Sequence, residues 1–148
     1  MKYDKLYKYI GAMASGTVLD IGCGKARLKD FVEDYHGFDL NPETPIWKGD
    51  AYDKSNYGDY DTYVSTEVLE HLDDFRVLEN IPAGKRFIFS VPNFYDEGHQ
   101  RVYTEKIIRE RFKDILDIHS IVRFDCVFKD KKPFDVYILL VNSTKKAV

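Results

Sequence analysis

Four side chains have the types and spacing for proton or metal chemistry. Glu67, Glu70 and His71 stand at i, i+3 and i+4, so on a helix they share one face. His99 follows in the segment EGHQRVYT. Two carboxylates and two imidazoles can bind a divalent metal that lowers the pKa of a hydroxyl. The same groups can work without an ion, with His71 or His99 as a base or as a group that orients an acceptor. They also have a plain structural use: Glu67 and Glu70 suit the positive start of a helix, and the imidazoles can bond to a loop. His71 and His99 are therefore the catalytic candidates. No metal is assigned, and Glu67, Glu70, His71 and His99 are the candidate ligands if one is used. Arg101 and Tyr103 either steady the loop around His99 or contact an acidic acceptor.

A second constellation lies in VLDIGCGKARL, residues 18–28. An apolar run ends in Asp20, and Gly22 and Gly24 follow. Glycines reach backbone conformations closed to other residues and let a ligand touch the main chain. Asp39 lies 19 positions after Asp20, at the end of a second apolar run. A carboxylate there can accept hydrogen bonds from both hydroxyls of a ribose, each worth about 1.5–3 kcal/mol. The turn therefore reads as a nucleoside site. A dinucleotide is one candidate ligand, although the third glycine of such a turn is Ala26 here.

The elements that must position these residues alternate. Leu6, Tyr9, Ile10 and Met13 mark an amphipathic helix over 3–14, broken by Gly16. Val18–Ile21 reads as a buried strand. Leu28, Phe31, Val32 and Tyr35 then recur at helical spacing. HGFDL (36–40), a weak PIWKGDA (45–51) and YDTYVST (60–66) read as strands, and 67–81 reads as a helix. KRFIFSVPN (85–93) is rich in strand-forming residues. A helix follows over 104–115, with Thr104 as its N-cap. The runs 117–128 and 133–142, separated by polar KDKKP, suggest a hairpin. The expected architecture is α/β: a Rossmann-like, mostly parallel seven-stranded sheet with helices on both faces and a C-terminal antiparallel hairpin. Ligands of such sheets bind beyond the carboxyl ends of the strands, where the glycine turn lies.

Bulk properties narrow the classes. The 148 residues fit one domain, 1–148. A net charge of −3 supplies no global field for nucleic acid, which is therefore not favoured as a partner. The two cysteines are too few for a disulfide framework, and no apolar stretch approaches a membrane span. A reducing cytoplasm is the expected location.

VLDIGCGKARL, GFDLNP, KGDAYD, YDTYVSTEVLEHL and AGKRFIFSVPN occur in the order of the motifs of class I S-adenosylmethionine-dependent methyltransferases. The resemblance covers nearly the whole chain, and LDIGCG and EVLEHL are its most specific parts. It implies that Asp20, Gly22, Cys23 and Gly24 surround the methionine part of the cofactor. Asp39 would hold the ribose and Leu40 would pack near the adenine. Asp50 and Ala51 would meet the adenine edge, and Thr66 and Glu67 would close the site. The segment EVLEH also resembles the Glu-x-x-Glu-His of two metal-dependent branches, the small-RNA 3′-end 2′-O-methyltransferases and the ubiquinone-pathway O-methyltransferases. Many members carry it with no metal implied.

The expected activity is methyl transfer to an acceptor, with oxygen slightly favoured over nitrogen, leaving S-adenosylhomocysteine as product. The alternative is a non-catalytic module of the same fold that binds the cofactor or a partner. Only about 15 residues precede the first strand, and DKSNYGDYD is too short and polar for a solid lid. An open site suits a bulky acceptor, or a homodimer that completes the pocket.

Overall fold

A computed structural model describes residues 4–43, 46–128 and 130–143. The chain runs α1 (Asp4–Met13), β1 (Thr17–Ile21), a 3₁₀ turn (Arg27–Phe31), β2 (Asp34–Asp39), β3 (Trp47–Lys48), a 3₁₀ turn (Lys54–Asn56) and β4 (Thr62–Thr66). It continues through a 3₁₀ turn (Leu69–His71), α2 (Asp74–Leu78), β5 (Arg86–Pro92), α3 (Glu105–Phe112), β6 (Leu116–Val127) and β7 (Pro133–Ser143). The seven strands lie in the order β3-β2-β1-β4-β5-β7-β6, with β7 antiparallel to both its neighbours. This is the mostly parallel sheet with a closing hairpin that the alternation of elements predicts.

Val18–Ile21 are buried without alternation, as a parallel strand covered on both faces requires. Leu19, Ile21, Phe38, Tyr63, Phe87 and Phe89 face one core, with Val77 and Leu78 of α2 and Ile108 and Phe112 of α3. Val18, Val64, Ile88, Val136 and Ile138 face the other, with Leu6 and Ile10 of α1 and Leu28.

Two expected helices are not formed as read. The helical spacing of Leu28, Phe31, Val32 and Tyr35 yields only the 3₁₀ turn, and Val32 is already extended (φ −135°, ψ 150°). The register pairing Thr17 with Asp34 and Ile21 with Phe38 draws Tyr35 into β2 and leaves no room for a longer crossover. The continuous helix over 67–81 is also broken. Glu67 has φ 56°, closed to a right-handed helix, and Leu72 is extended (φ −124°, ψ 172°). The third strand shrinks to Trp47–Lys48. α3 keeps its cap, with Thr104 Oγ1 accepting from the Ile107 amide at 3.2 Å.

Asp74 shows why the helix restarts where it does. Its fully buried carboxylate takes two 2.8 Å bonds from Arg111 and a third of 2.8 Å from the Tyr103 hydroxyl. These contacts tie α2 to α3 and to the loop after β5, so tertiary pairing overrides local helical preference. Breaking a buried pair leaves an uncompensated charge. Asp74→Asn should lower unfolding stability by about 3 kcal/mol in urea titration; a loss below about 1 kcal/mol would mean that this cluster does not support the fold.

Candidate functional site

At the carboxyl end of β1 the chain turns through Gly22 (φ 67°) and Gly24 (φ 52°), both in the left-handed region that glycine tolerates. A Cβ on Gly22 would lie 2.8 Å from a Val68 methyl carbon. The Gly24 amide donates to Asp39 Oδ2 at 2.9 Å, the Asn41 amide donates to Oδ1 at 2.9 Å, and the Cys23 amide donates to the Phe38 carbonyl at 3.0 Å. Asp39 thus closes the glycine turn, a task its sequence position did not reveal. Each carboxylate oxygen keeps a second acceptor site, so the ribose role is still open to it.

A cavity of about 280 Å³ is lined by Gly22, Asp39, Leu40, Asp50, Ala51 and Glu67, among others. A neighbouring cavity of about 360 Å³ is lined by Gly22, Cys23, Gly24, Thr66 and Glu67, with Tyr7 and Arg27. Gly22 and Glu67 border both, so the two form one groove along the turn. Nine of the ten residues expected at the cofactor are on its walls. The tenth, Asp20, lies beneath them. It is 3% exposed, and Tyr35 donates to its Oδ2 at 2.7 Å. Burial pushes its pKa up to about 7; Tyr35 opposes the shift and the Asp39 charge adds to it. Burial and the Asp20 charge push the Cys23 thiol up to about 11, so it is no thiolate nucleophile at neutral pH.

The edge of the groove at Asp50 and Ala51 is fixed from behind. The Ala51 carbonyl accepts from the Tyr57 hydroxyl at 2.8 Å and from Asn80 Nδ2 at 3.1 Å. Asp50 Oδ1 accepts from the Tyr52 amide at 2.9 Å. A further hollow of about 390 Å³ lies at the opposite end of β1, beside Thr17 and Asp61. Its Asp61 is already held by the Thr17 amide at 2.9 Å, and none of the candidate residues reaches it.

A third cavity of about 170 Å³ adjoins the groove and is lined by Glu67, Glu70, His71, Pro92, Phe94, His99 and Phe134. Sequence reasoning missed Phe94 and Phe134, which are brought together from separate strand ends with ring centroids 5.0 Å apart. Glu67 is anchored by its backbone amide, which donates to the Ser90 carbonyl at 3.1 Å and to Ser90 Oγ at 3.2 Å. Glu67 Oε2, Glu70 Oε1, Ser65 Oγ and Thr66 Oγ1 are buried with no hydrogen-bond partner in the protein. Burial, then the Glu70 charge, raises the Glu67 pKa well above the usual carboxylate range. Burial also raises that of Glu70, against the pull of Glu67, His71 and His99.

The imidazoles have fixed tautomers. His71 Nδ1 lies 2.9 Å from the Gly98 carbonyl, and His99 Nδ1 lies 3.0 Å from the Phe94 carbonyl. A carbonyl only accepts, so Nδ1 carries the proton and the Nε2 lone pair of each neutral ring is free. The rings are 4.8 Å apart, and ligand atoms of Glu70, His71 and His99 lie within 4.8 Å of one another. The unpartnered buried carboxylate oxygens and the oriented imidazoles fit a divalent ion with oxygen and nitrogen donors. Glu67 stands beside this trio. The Gln100 amide donates to the Glu70 carbonyl at 2.7 Å, and Arg101 donates to the Leu69 carbonyl at 2.9 Å. Arg101 and Tyr103 therefore steady the loop.

The titration of Asp20 gives a test of this arrangement. Its folded pKa exceeds its ordinary value of 3.8, so its contribution to stability is full below about pH 4 and is lost as pH rises through 7. Asp20→Asn keeps an acceptor for Tyr35 and removes the titration. Relative to wild type, the variant should gain on the order of 4 kcal/mol between pH 4 and 8 in urea unfolding; parallel profiles would show that Asp20 ionises normally.

No protein-family model matches the chain, and no curated protein does. Solved structures do. A S-adenosylmethionine-dependent methyltransferase from Methanosarcina mazei aligns with a TM-score of 0.68 at 13% identity, over 93% of this chain and 98% of that one. The N-methyltransferase NodS from Bradyrhizobium japonicum, in complex with S-adenosyl-L-homocysteine, gives 0.61 at 16% identity, over 97% and 88%. The [4+2]-cyclase SpnF gives 0.69 at 11% identity, over 97% and 81%. The chain has the Rossmann-like fold of the class I methyltransferases. Among the described residues, no helix is long and apolar enough to cross a membrane.

Proposed function

We propose that this chain is an S-adenosylmethionine-dependent methyltransferase that acts on a hydroxyl group. The observation that carries the reading is a continuous groove running from the glycine turn past Asp39 and Glu67 into a chamber that holds Glu70, His71 and His99. The cofactor, when bound, supplies an electrophilic methyl, and a divalent ion, when bound to Glu70, His71 and His99 with Glu67 adjacent, lowers the pKa of a hydroxyl. The chain's own residues do the positioning. Asp39 accepts from the ribose hydroxyls while its amide partners hold the turn. Leu40 and Ala51 pack at the adenine, and the Gly22–Gly24 main chain follows the methionine part. With no ion, an Nε2 lone pair of His71 or His99 takes the acceptor proton. Holding nucleophile and methyl in line supplies much of the acceleration.

Phe94, Phe134 and Pro92 give the chamber an apolar wall that excludes water from the reacting end of the acceptor. The chamber is small, so the rest of the acceptor stays outside it, which suits a bulky acceptor or a second copy of the chain over the mouth. SpnF shows that the fold also serves other chemistry. Binding of the cofactor with no transfer to any hydroxyl acceptor would favour the non-catalytic module.

Calorimetric titration tests the site in two parts. S-adenosylhomocysteine should bind, and Asp39→Ala should weaken it by about 1–3 kcal/mol; unchanged affinity would remove Asp39 from the ligand. Mn²⁺ should bind the metal-free protein at one site, and the heat should vanish in both Glu70→Gln and His99→Ala. A heat that survives both changes would place the ion elsewhere and leave the imidazoles as bases.

A further inference from the structure

β6 forms one margin of the sheet, and among the described residues it pairs with β7 alone. A strand in that position presents a row of unpaired amides and carbonyls, which proteins blunt with lysine, proline, a bulge or a covering element. Here the bulge lies near the start of the strand, between Ile118 and Ser120. From Ser120 to Val127 the ladder to β7 runs without interruption, and SIVRFDCV contains no lysine, proline or glycine. Arg123, Asp125 and Val127 are exposed on one face. On the other, Phe124 is half-buried against Tyr9 of α1, edge to face with ring centroids 5.3 Å apart.

The same run is close to a palindrome in character. Phe124 is flanked by charges of opposite sign, Arg123 and Asp125. Val122 and Cys126 come next on either side, then Ile121 and Val127. In an antiparallel ladder, opposed residues either both turn their amides to the seam or both turn them away. Two copies of one strand therefore meet with the two-fold axis passing through a residue. An axis at Arg123 sets two arginines against each other, and an axis at Asp125 sets two aspartates; like charges so opposed repel. An axis at Val122 leaves Arg123 against Ile121, and one at Cys126 leaves Asp125 against Val127. With the axis at Phe124, Arg123 of each copy faces Asp125 of the other, and every remaining pair is apolar.

We propose that β6 is a self-recognising edge, at which two copies of this chain join antiparallel about Phe124 into one continuous sheet. The contact is isologous and closes on itself, so it makes a dimer and not a fibre. It also occupies the edge that would otherwise be open to any other strand. The seam runs up to Phe128, whose ring centroid lies 4.8 Å from that of Phe94 and 4.4 Å from that of Phe134. The second copy would thus brace the apolar wall of the chamber. The inference needs no ligand in the groove, so it stands or falls apart from the proposed activity.

Sedimentation equilibrium of the full chain, without ligand, tests it. Wild type should reach twice the chain mass in the micromolar range. Arg123→Asp and Asp125→Arg should each weaken self-association at least about tenfold, since every charge then meets its like. Mixed in equal amounts, the two variants should pair with each other about as tightly as wild type pairs with itself. Neither variant keeps the Arg123–Asp125 ion pair of 3.8 Å within its own strand, so that pair cannot account for the rescue. A wild type that stays monomeric throughout this range would overturn the proposal. A dimer unmoved by either substitution, or a mixture that stays monomeric, would overturn it as well. Hydrogen exchange of wild type decides without any variant: amides within 121–127 should exchange more slowly as concentration rises, and unchanged exchange there would overturn the seam.

Discussion

A carboxylate taken out of water must find a cation, a set of donors or a proton. The carboxyl-terminal edge of this sheet is organised around that constraint. Asp74 meets it with Arg111 and Tyr103. Asp39 meets it with the amides of Gly24 and Asn41. Asp20 meets it in part with Tyr35 and otherwise by holding its proton to about pH 7. Glu67 and Glu70 meet it only by holding their protons more tightly, as burial raises the pKa of both, and each keeps a buried oxygen without a hydrogen-bond partner. The carboxylates that find donors or cations build the scaffold, and the two glutamates with unpartnered oxygens line the cavities beside it.

The carboxylates of the scaffold also help to assemble the chamber. His71 follows β4 and His99 follows β5, so nothing local brings them together. The Asp74 cluster fixes α2 against α3 and against the loop that carries Arg101 and Tyr103. Gln100 and Arg101 then bond to the turn at Leu69–His71, and each imidazole is oriented by a carbonyl. The ion pair between α2 and α3 thereby helps to set the positions of two rings, one on the turn before α2 and one on the loop before α3.

The succession of strands along the chain, the hairpin and the glycine turn were legible in the sequence because each rests on local signals: a short apolar run, a polar turn, a glycine; the order of the strands within the sheet was not read from it. The helices over 28–35 and 67–81 were misread for a common reason. Tyr35 is claimed by pairing with β1, and Asp74 by Arg111, which lies 37 residues away. Hydrophobic spacing cannot register either claim. Asp39 was found as an acid at the right distance, but its bond to Gly24 was not, since the register that makes it possible appears only in the folded sheet. The chamber's acids and imidazoles were visible by type. Its aromatic wall was not, because Phe94 and Phe134 look like ordinary strand-end residues.

Glu67 borders all three cavities of the groove at once, and it does so from a left-handed backbone conformation (φ 56°). An L-residue other than glycine in that region costs about 1–2 kcal/mol. Glycine would relax the strain and also remove a carboxyl that is buried without a partner. Stability alone would thus favour glycine at position 67, at the cost of the carboxyl where the three cavities meet. With glutamate at position 67 the chain instead carries both costs, a strained backbone and a buried carboxyl, at a single Cα.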